Sequence, residues 1–74
     1  MKTFYFTFGQ DHAHRVNGVT WDKDLVCMID AEDENSARKI MHENFGNKWA
    51  FSYTEETWER DNLIRHFPRG AQPL

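Results

Sequence analysis

The chain begins with a regular alternation of side chains. Within Lys2–Phe8, phenylalanines at every second position from Phe4 alternate with threonine or tyrosine. A period of two in such residues predicts a β-strand. Gly9 ends this strand, because a residue without a side chain can adopt a positive φ or let a ligand approach the backbone. The two faces of the strand carry Phe4, Phe6 and Phe8, and Thr3, Tyr5 and Thr7.

A second apolar stretch, Asp24–Ala31, also alternates, but here both faces are apolar. A strand of this kind is typical of a central position that is covered on both sides. The polar segment between the two strands, residues 10–23, is long for a connection in so short a chain. We therefore expect it to be a functional or mobile loop.

The segment Asp33–Phe45 predicts a helix. Asp33 is a favourable N-cap, and Gly46 follows the last helical residue as a C′ residue in the left-handed conformation. The spacing of one stripe of residues predicts the face that the helix buries. That stripe comprises Ala37, Ile40, Met41, Asn44 and Phe45.

Alternation returns at Trp49–Tyr53, which predicts a third strand. The small residues Ala50 and Ser52 suit the face on which the helix lies. The other face would then carry Trp49, Phe51 and Tyr53 and remain uncovered, which calls for a partner chain or a ligand.

The C-terminal part predicts less regular structure. Thr54 caps a short helical turn to about Arg60, Asn62–Phe67 forms a short fourth strand, and residues 69–74 are loose. Residues 1–74 therefore predict one small α+β domain of order β-β-α-β(-β), with an antiparallel sheet and one helix packed on one of its faces.

Composition limits the alternatives. The chain has 74 residues and one cysteine, Cys27, so it forms no internal disulfide and we expect a reducing cytosol. A core this small usually needs further support, and we expect a homo-oligomer. The net charge of -3 argues against general nucleic-acid binding. No apolar run approaches the roughly 20 residues of a membrane span, and the first residues do not resemble a signal peptide.

Several motifs resemble a family of small proteins from bacteriophages and prophages. The family pattern is FTFG-x-x-H, then A-x-D and AR-x-x-M on a helix, then FG-x-KWAF-x-YTEE. The matching positions are Phe6–Gly9, His12, Ala31–Asp33, Ala37–Arg38, Met41 and Phe45–Glu56. The resemblance covers most of the chain. It implies a phage accessory protein in the cytoplasm of a bacterial host, where such proteins commonly disable a host enzyme or a defence system, and it transfers no catalytic residues.

The loop after the first strand carries the candidate binding chemistry. In an extended segment His12 and His14 point the same way. They could bind zinc with Cys27, His42 or His66, but Cys27 lies within an apolar strand and no second closely spaced ligand pair exists, so we expect no metal. Two readings remain open: solvated or hydrogen-bonded loop histidines, and recognition of an anion together with Arg15.

Aromatic residues supply possible platforms for a ring, and arginines supply further cations. Each tryptophan is individually more typical of core packing. The chain lacks both GxxxxGK[ST] and GxGxxG, so any nucleotide site would be unlike the common ones, and no cofactor is expected. The candidate ligand-binding residues are Gly9, Gln10, His12, His14, Arg15, Trp21, Trp49, Tyr53, Arg65 and Arg69.

No motif indicates catalysis, and we expect no catalytic residues and no enzyme. The leading hypothesis is an anti-defence protein that binds and sequesters a phosphorylated small molecule, such as a nucleotide immune signal, without turnover. The alternative is a protein–protein inhibitor of a host enzyme or defence complex. It would use the aromatic sheet face or the acidic runs Asp30–Glu34 and Glu55–Asp61.

Overall fold

The computed structural model describes residues 1–10 and 13–74. Within these residues, six strands, two α-helices and one 3₁₀ helix follow one another. Their bounds are β1 Lys2–Thr7, β2 His14–Val16, β3 Val19–Trp21, β4 Val26–Ala31, α1 Glu34–Phe45, β5 Phe51–Thr54, α2 Glu55–Arg60, the 3₁₀ helix Leu63–His66, and β6 Ala71–Pro73.

A four-stranded sheet of order β5-β1-β4-β6 forms the centre of the fold. β1 pairs antiparallel with both of its neighbours, and Tyr5 lies opposite Met28 on β4 and Tyr53 on β5. β6 pairs parallel with β4. The predicted α+β class, with a mainly antiparallel sheet and one main helix packed on it, is confirmed.

Helix α1 begins and ends where the sequence predicts. The Asp33 side chain accepts a hydrogen bond of 2.8 Å from the Ser36 backbone amide. This bond stabilises the carboxylate and holds the pKa of Asp33 below its usual value. At the other end Gly46 has a φ of 64° and donates its N–H to the His42 carbonyl. Ala37, Met41 and Phe45 form the buried stripe.

The sheet has an apolar core on each face. Beneath α1, Phe4, Phe6 and Phe8 pack with Cys27 and Met41. On the opposite face the core consists of Tyr5, Val26 and Trp58, with partly buried residues around them. β4 is therefore covered on both sides, as its two apolar faces predict. The surrounding residues are Met28, Tyr53, Leu63, Phe67 and Ala71.

The prediction of an uncovered aromatic face is wrong. Helix α2 and the 3₁₀ helix lie over that face, and Trp58 fills it with only 4% of its surface exposed. Trp49 does not share a face with Phe51 and Tyr53 either: it lies on the α1 side, edge-on to Phe6 with 5.1 Å between ring centroids. The reason is that β5 begins only at Phe51, so the alternation does not extend back to Trp49.

Three further predictions of local structure are wrong. The polar segment 10–23 contains the hairpin β2–β3, whose turn residues Asn17 and Gly18 both have positive φ. Within the predicted strand Asn62–Phe67, Leu63–His66 form a 3₁₀ helix instead, after Asn62 in the left-handed conformation. The C-terminal tail is ordered as β6, because β4 offers it backbone partners. None of the described helices has the length and apolar character required to span a bilayer.

Candidate functional site

Two of the predicted ligand-binding residues instead hold the β2–β3 hairpin on the core. His14 Nε2 donates a hydrogen bond of 2.7 Å to the Lys48 carbonyl oxygen, and its ring lies against Phe8 and Phe45. Trp21 is 1% exposed and donates its indole N–H to the Val16 carbonyl at 3.2 Å. A ring this buried offers no face to a ligand, so Trp21 is a core residue.

The arginines named in the sequence analysis do not converge on one site. Arg69 Nη1 donates to the Thr20 carbonyl at 2.7 Å and to an Asp22 carboxylate oxygen at 3.3 Å, which ties the C-terminal segment to β3. Arg15 donates across the hairpin to Thr20 Oγ1 at 3.4 Å. Arg65 is exposed on the 3₁₀ helix. His12 lies outside the residues that the structure describes.

The contacts of Arg69 predict a structural role that can be measured. We expect Arg69→Ala to lower the free energy of unfolding by about 1 kcal/mol, because the Thr20 carbonyl and the Asp22 carboxylate lose their donor. The measurement is urea unfolding followed by tryptophan fluorescence. Arg65→Ala is the matched control, and it should leave the midpoint unchanged. Equal loss in both variants would contradict this assignment.

The other candidates meet at a cleft between β5 and the 3₁₀ helix, which we call the aromatic cleft. Its volume is about 330 Å³, and other surface concavities reach 430 Å³, so size does not single it out. It is distinguished by bringing three of the predicted ligand-binding residues, Gly9, Gln10 and Tyr53, together with further aromatic rings and the Lys23 ammonium. The cleft is lined by Thr7, Gly9, Gln10, Lys23, Phe51, Tyr53, Trp58, Leu63, His66 and Phe67.

Trp58 organises the wall of the aromatic cleft. Its ring stacks on Tyr5 at 4.7 Å and on Phe67 at 5.6 Å between centroids, and it contacts Tyr53 at 5.6 Å. Tyr53 in turn lies 6.4 Å from Phe51. Because Trp58 is almost fully buried, it fixes the orientation of these outer rings and leaves them to meet a ligand.

Polar groups stand around the opening of the aromatic cleft. Gln10, Lys23 and His66 come from three separate segments of the chain. Lys23 Nζ forms an ion pair of 3.3 Å with Asp24, with both side chains partly exposed to solvent. Pairs of this kind contribute little, so Lys23 can exchange this partner for an anionic ligand.

Gly9 closes one end of the aromatic cleft. Its φ is 69°, a conformation that L side chains rarely adopt. A Cβ at this position would lie 3.1 Å from the Ala50 Cβ, so Ala50 would have to shift by a few tenths of an ångström to accept a side chain here. The positive φ predicted from the sequence is present, and it brings Gln10 to the edge of the cleft.

Trp49 lines a different concavity, on the α1 side of β5. The Arg38 guanidinium lies 5.5 Å from the centre of the Trp49 ring and donates to Ser52 Oγ at 3.1 Å. Ser52 Oγ donates to a Glu34 carboxylate oxygen at 3.1 Å. The Arg38 guanidinium is therefore already surrounded by the Trp49 ring, the Ser52 hydroxyl and, through Ser52, the Glu34 carboxylate.

Cys27 has a buried thiol that the fold keeps protonated. Burial raises the pKa of Cys27 to about 12, so the nucleophilic thiolate is scarce at neutral pH. Within residues 1–10 and 13–74 no three His, Cys, Asp or Glu side chains are grouped so that they could hold a metal ion.

Sequence reasoning found only part of the aromatic cleft. Gly9, Gln10 and Tyr53 belong to it, whereas His14, Arg15, Trp21, Trp49, Arg65 and Arg69 lie elsewhere. The cleft residues Lys23, His66 and Phe67 were missed. No local signal in the sequence places Trp58 beside Tyr53, because that contact depends on how α2 folds back over the sheet.

The chain was compared with protein-family models, with curated proteins and with solved structures, and none of the three comparisons finds a match.

Proposed function

We propose that the protein binds a small anionic molecule with a planar ring in the aromatic cleft and retains it without chemical conversion. The observation that supports this proposal is the meeting of exposed aromatic surface with Lys23 and His66 in one concavity. Rings recognise a planar group by stacking, and cationic donors recognise phosphate or carboxylate oxygens.

The ring would lie against Tyr53 and Phe51. Phe51 is 62% exposed, and Tyr53 is half-buried against Trp58. Stacking of a base on one aromatic side chain contributes about 1–3 kcal/mol. Because Trp58 already holds Tyr53 in place, little side-chain entropy is lost on binding, which favours affinity.

The anionic group would meet Lys23, with His66 and Gln10 as further donors. The lysine ammonium is a single point of charge with three donors, so it suits a phosphate without fixing its orientation. A histidine ring nitrogen and the Gln10 amide can add hydrogen bonds, because both residues line the same cleft. We therefore expect selectivity for a ring joined to a phosphate over either part alone.

The biological role that we propose follows from the resemblance to small phage proteins. In that role the protein acts in the cytoplasm of a bacterial host, where it sequesters a phosphorylated small molecule such as a nucleotide immune signal. Retention without turnover needs only complementarity between ligand and cleft. A lower concentration of the unbound signal would then be sufficient to weaken a defence response.

Thermal unfolding with a panel of cyclic and linear nucleotides tests the proposal. A ligand that binds only the folded chain, present at 100 times its Kd, adds about 2.7 kcal/mol to the free energy of unfolding and raises the midpoint. We expect such a shift with at least one nucleotide. Tyr53→Leu and Lys23→Gln should each reduce it strongly, because they remove the stacking surface and the cation.

Arg15→Ala is the matched control, since Arg15 is an exposed cation that does not line the aromatic cleft. It should retain the full shift. Absence of a shift with every nucleotide, or equal loss in Arg15→Ala and Lys23→Gln, would contradict binding in this cleft.

The exposure of Phe51 favours a second candidate function, inhibition of a host protein. Phe51 is 62% exposed, and aromatic residues are enriched at the centres of protein–protein interfaces. In that case affinity capture from host lysate recovers one protein reproducibly, Phe51→Ser abolishes its recovery, and nucleotides leave the melting midpoint unchanged.

A further inference from the structure

The two edges of the four-stranded sheet differ in their protection. β6 has three residues and carries Pro73, which lacks an N–H and so blunts that edge. β5, at the other edge, has the sequence FSYT with neither proline nor charge. Apart from β1, no strand in the described part of the chain pairs with β5. This edge is therefore free to pair with another strand.

The side chains of β5 also favour a covered edge. Phe51 is 62% exposed, more than any other aromatic residue among the described residues. Concavities adjoin it on both faces of the sheet, since Phe51 lines the aromatic cleft and also the concavity that contains Arg38 and Trp49. A strand added at this edge would bury apolar surface on both faces.

The charged residues that flank β5 differ in sign between its two ends. Lys48 precedes the strand, whereas Glu55 and Glu56 follow it directly. Two copies of β5 in antiparallel orientation place the cationic end of each against the acidic end of the other. A parallel arrangement would instead bring like charges together, so the edge is complementary to itself in one orientation only.

We propose that β5 pairs antiparallel with β5 of a second copy of the chain, which joins the two sheets into one and forms a two-fold symmetric dimer. With the symmetry axis at Ser52, Phe51 of each copy lies opposite Tyr53 of the other. Aromatic pairs in this position stabilise antiparallel strands. A chain of 74 residues has a small core, so burial of this edge also supplies stability that the monomer lacks.

Analytical ultracentrifugation of the full chain without ligand, over a dilution series, tests the dimer. We expect a species of twice the 8.9 kDa chain mass that dissociates on dilution. Phe51→Lys should give a monomer at every concentration, because it places like charges on both sides of the two-fold axis. Ile64→Lys is the matched control: Ile64 is 38% exposed on the 3₁₀ helix and lines neither of the concavities that adjoin Phe51, so its replacement should leave the dimer intact.

Charge reversal tests the orientation of the strands. Lys48→Glu and Glu56→Lys should each raise the dissociation constant of the dimer about tenfold, because the contact between Lys48 and Glu56 occurs twice in a two-fold symmetric dimer. The double variant should restore the affinity of the original chain. Circular dichroism establishes that each variant is folded.

Three results would overturn the proposal. The first is a monomer throughout the dilution series of the unaltered chain, which leaves the edge to a strand from another protein. The second is dissociation by Ile64→Lys to the same extent as by Phe51→Lys. The third is a double charge variant that is no tighter than either single variant. Because ultracentrifugation is performed without ligand, absence of a dimer would not be confused with absence of nucleotide binding.

Discussion

Replacement of Trp58 by alanine is expected to lower the free energy of unfolding by about 3–5 kcal/mol. Trp58 is 4% exposed and contacts Tyr5, Tyr53 and Phe67, so its removal leaves a large cavity in the core beneath α2. A domain of 74 residues typically has a total stability of about 4–11 kcal/mol. Urea unfolding followed by far-ultraviolet circular dichroism should therefore show a midpoint at a much lower urea concentration than that of the unaltered chain.

Trp58→Phe separates the loss of packing from the loss of the aromatic cleft. Phenylalanine keeps a ring against Tyr5 and Phe67, so we expect a smaller loss, of about 1–2 kcal/mol. The variant should remain folded and retain measurable ligand binding. If Trp58→Ala and Trp58→Phe had the same free energy of unfolding, the ring stacking around this residue would not contribute to the stability of the fold.

The second large effect is expected for Trp21→Ala, with a loss of about 3–5 kcal/mol in the free energy of unfolding. Trp21 contacts Phe8 and Phe45, with centroid distances of 6.0 Å and 5.8 Å, and so fastens the hairpin β2–β3 to the core beneath α1. Chemical unfolding measures the loss. Hydrogen exchange should also show that amides of the hairpin lose protection before those of β1 and β4.

Trp21→Phe is the matched comparison. It keeps a ring in the core but removes the indole donor, which leaves the Val16 carbonyl without that hydrogen bond. We expect an intermediate loss of about 1–3 kcal/mol. If Trp21→Ala instead abolished nucleotide binding with little change in stability, Trp21 would be a ligand platform after all.

The tryptophans show why residue type alone did not locate the site. All three are amphipathic rings with an N–H, and each could in principle pack in a core or stack on a ligand. Trp21 is buried at a hairpin, Trp58 is buried behind the aromatic cleft, and Trp49 lies beside Arg38 on the other side of β5. Contacts with residues that are distant in the sequence distinguish these environments: Trp21 meets Phe45, Trp58 meets Tyr5, and Trp49 meets Phe6.

The hairpin had a local signal that the sequence analysis passed over. Asn17-Gly18 lies between Val16 and Val19, and Asn-Gly flanked by β-branched residues is typical of a two-residue hairpin turn. Both turn residues have the positive φ that such a turn requires. With this turn recognised, His14 would have been placed in a strand opposite Trp21 rather than in a free loop.

Local patterns in the sequence were sufficient to predict three of the elements. Alternation specified β1 and β4, and capping residues with a 3.6-residue stripe specified α1, because both signals depend on neighbours within a few residues. Other features depend on contacts that form only in the folded chain. β6 is a strand because β4 offers it backbone partners, and the aromatic cleft exists because α2 and the 3₁₀ helix fold back over the sheet. Such contacts join residues far apart in the chain, and no periodicity in a short window records them.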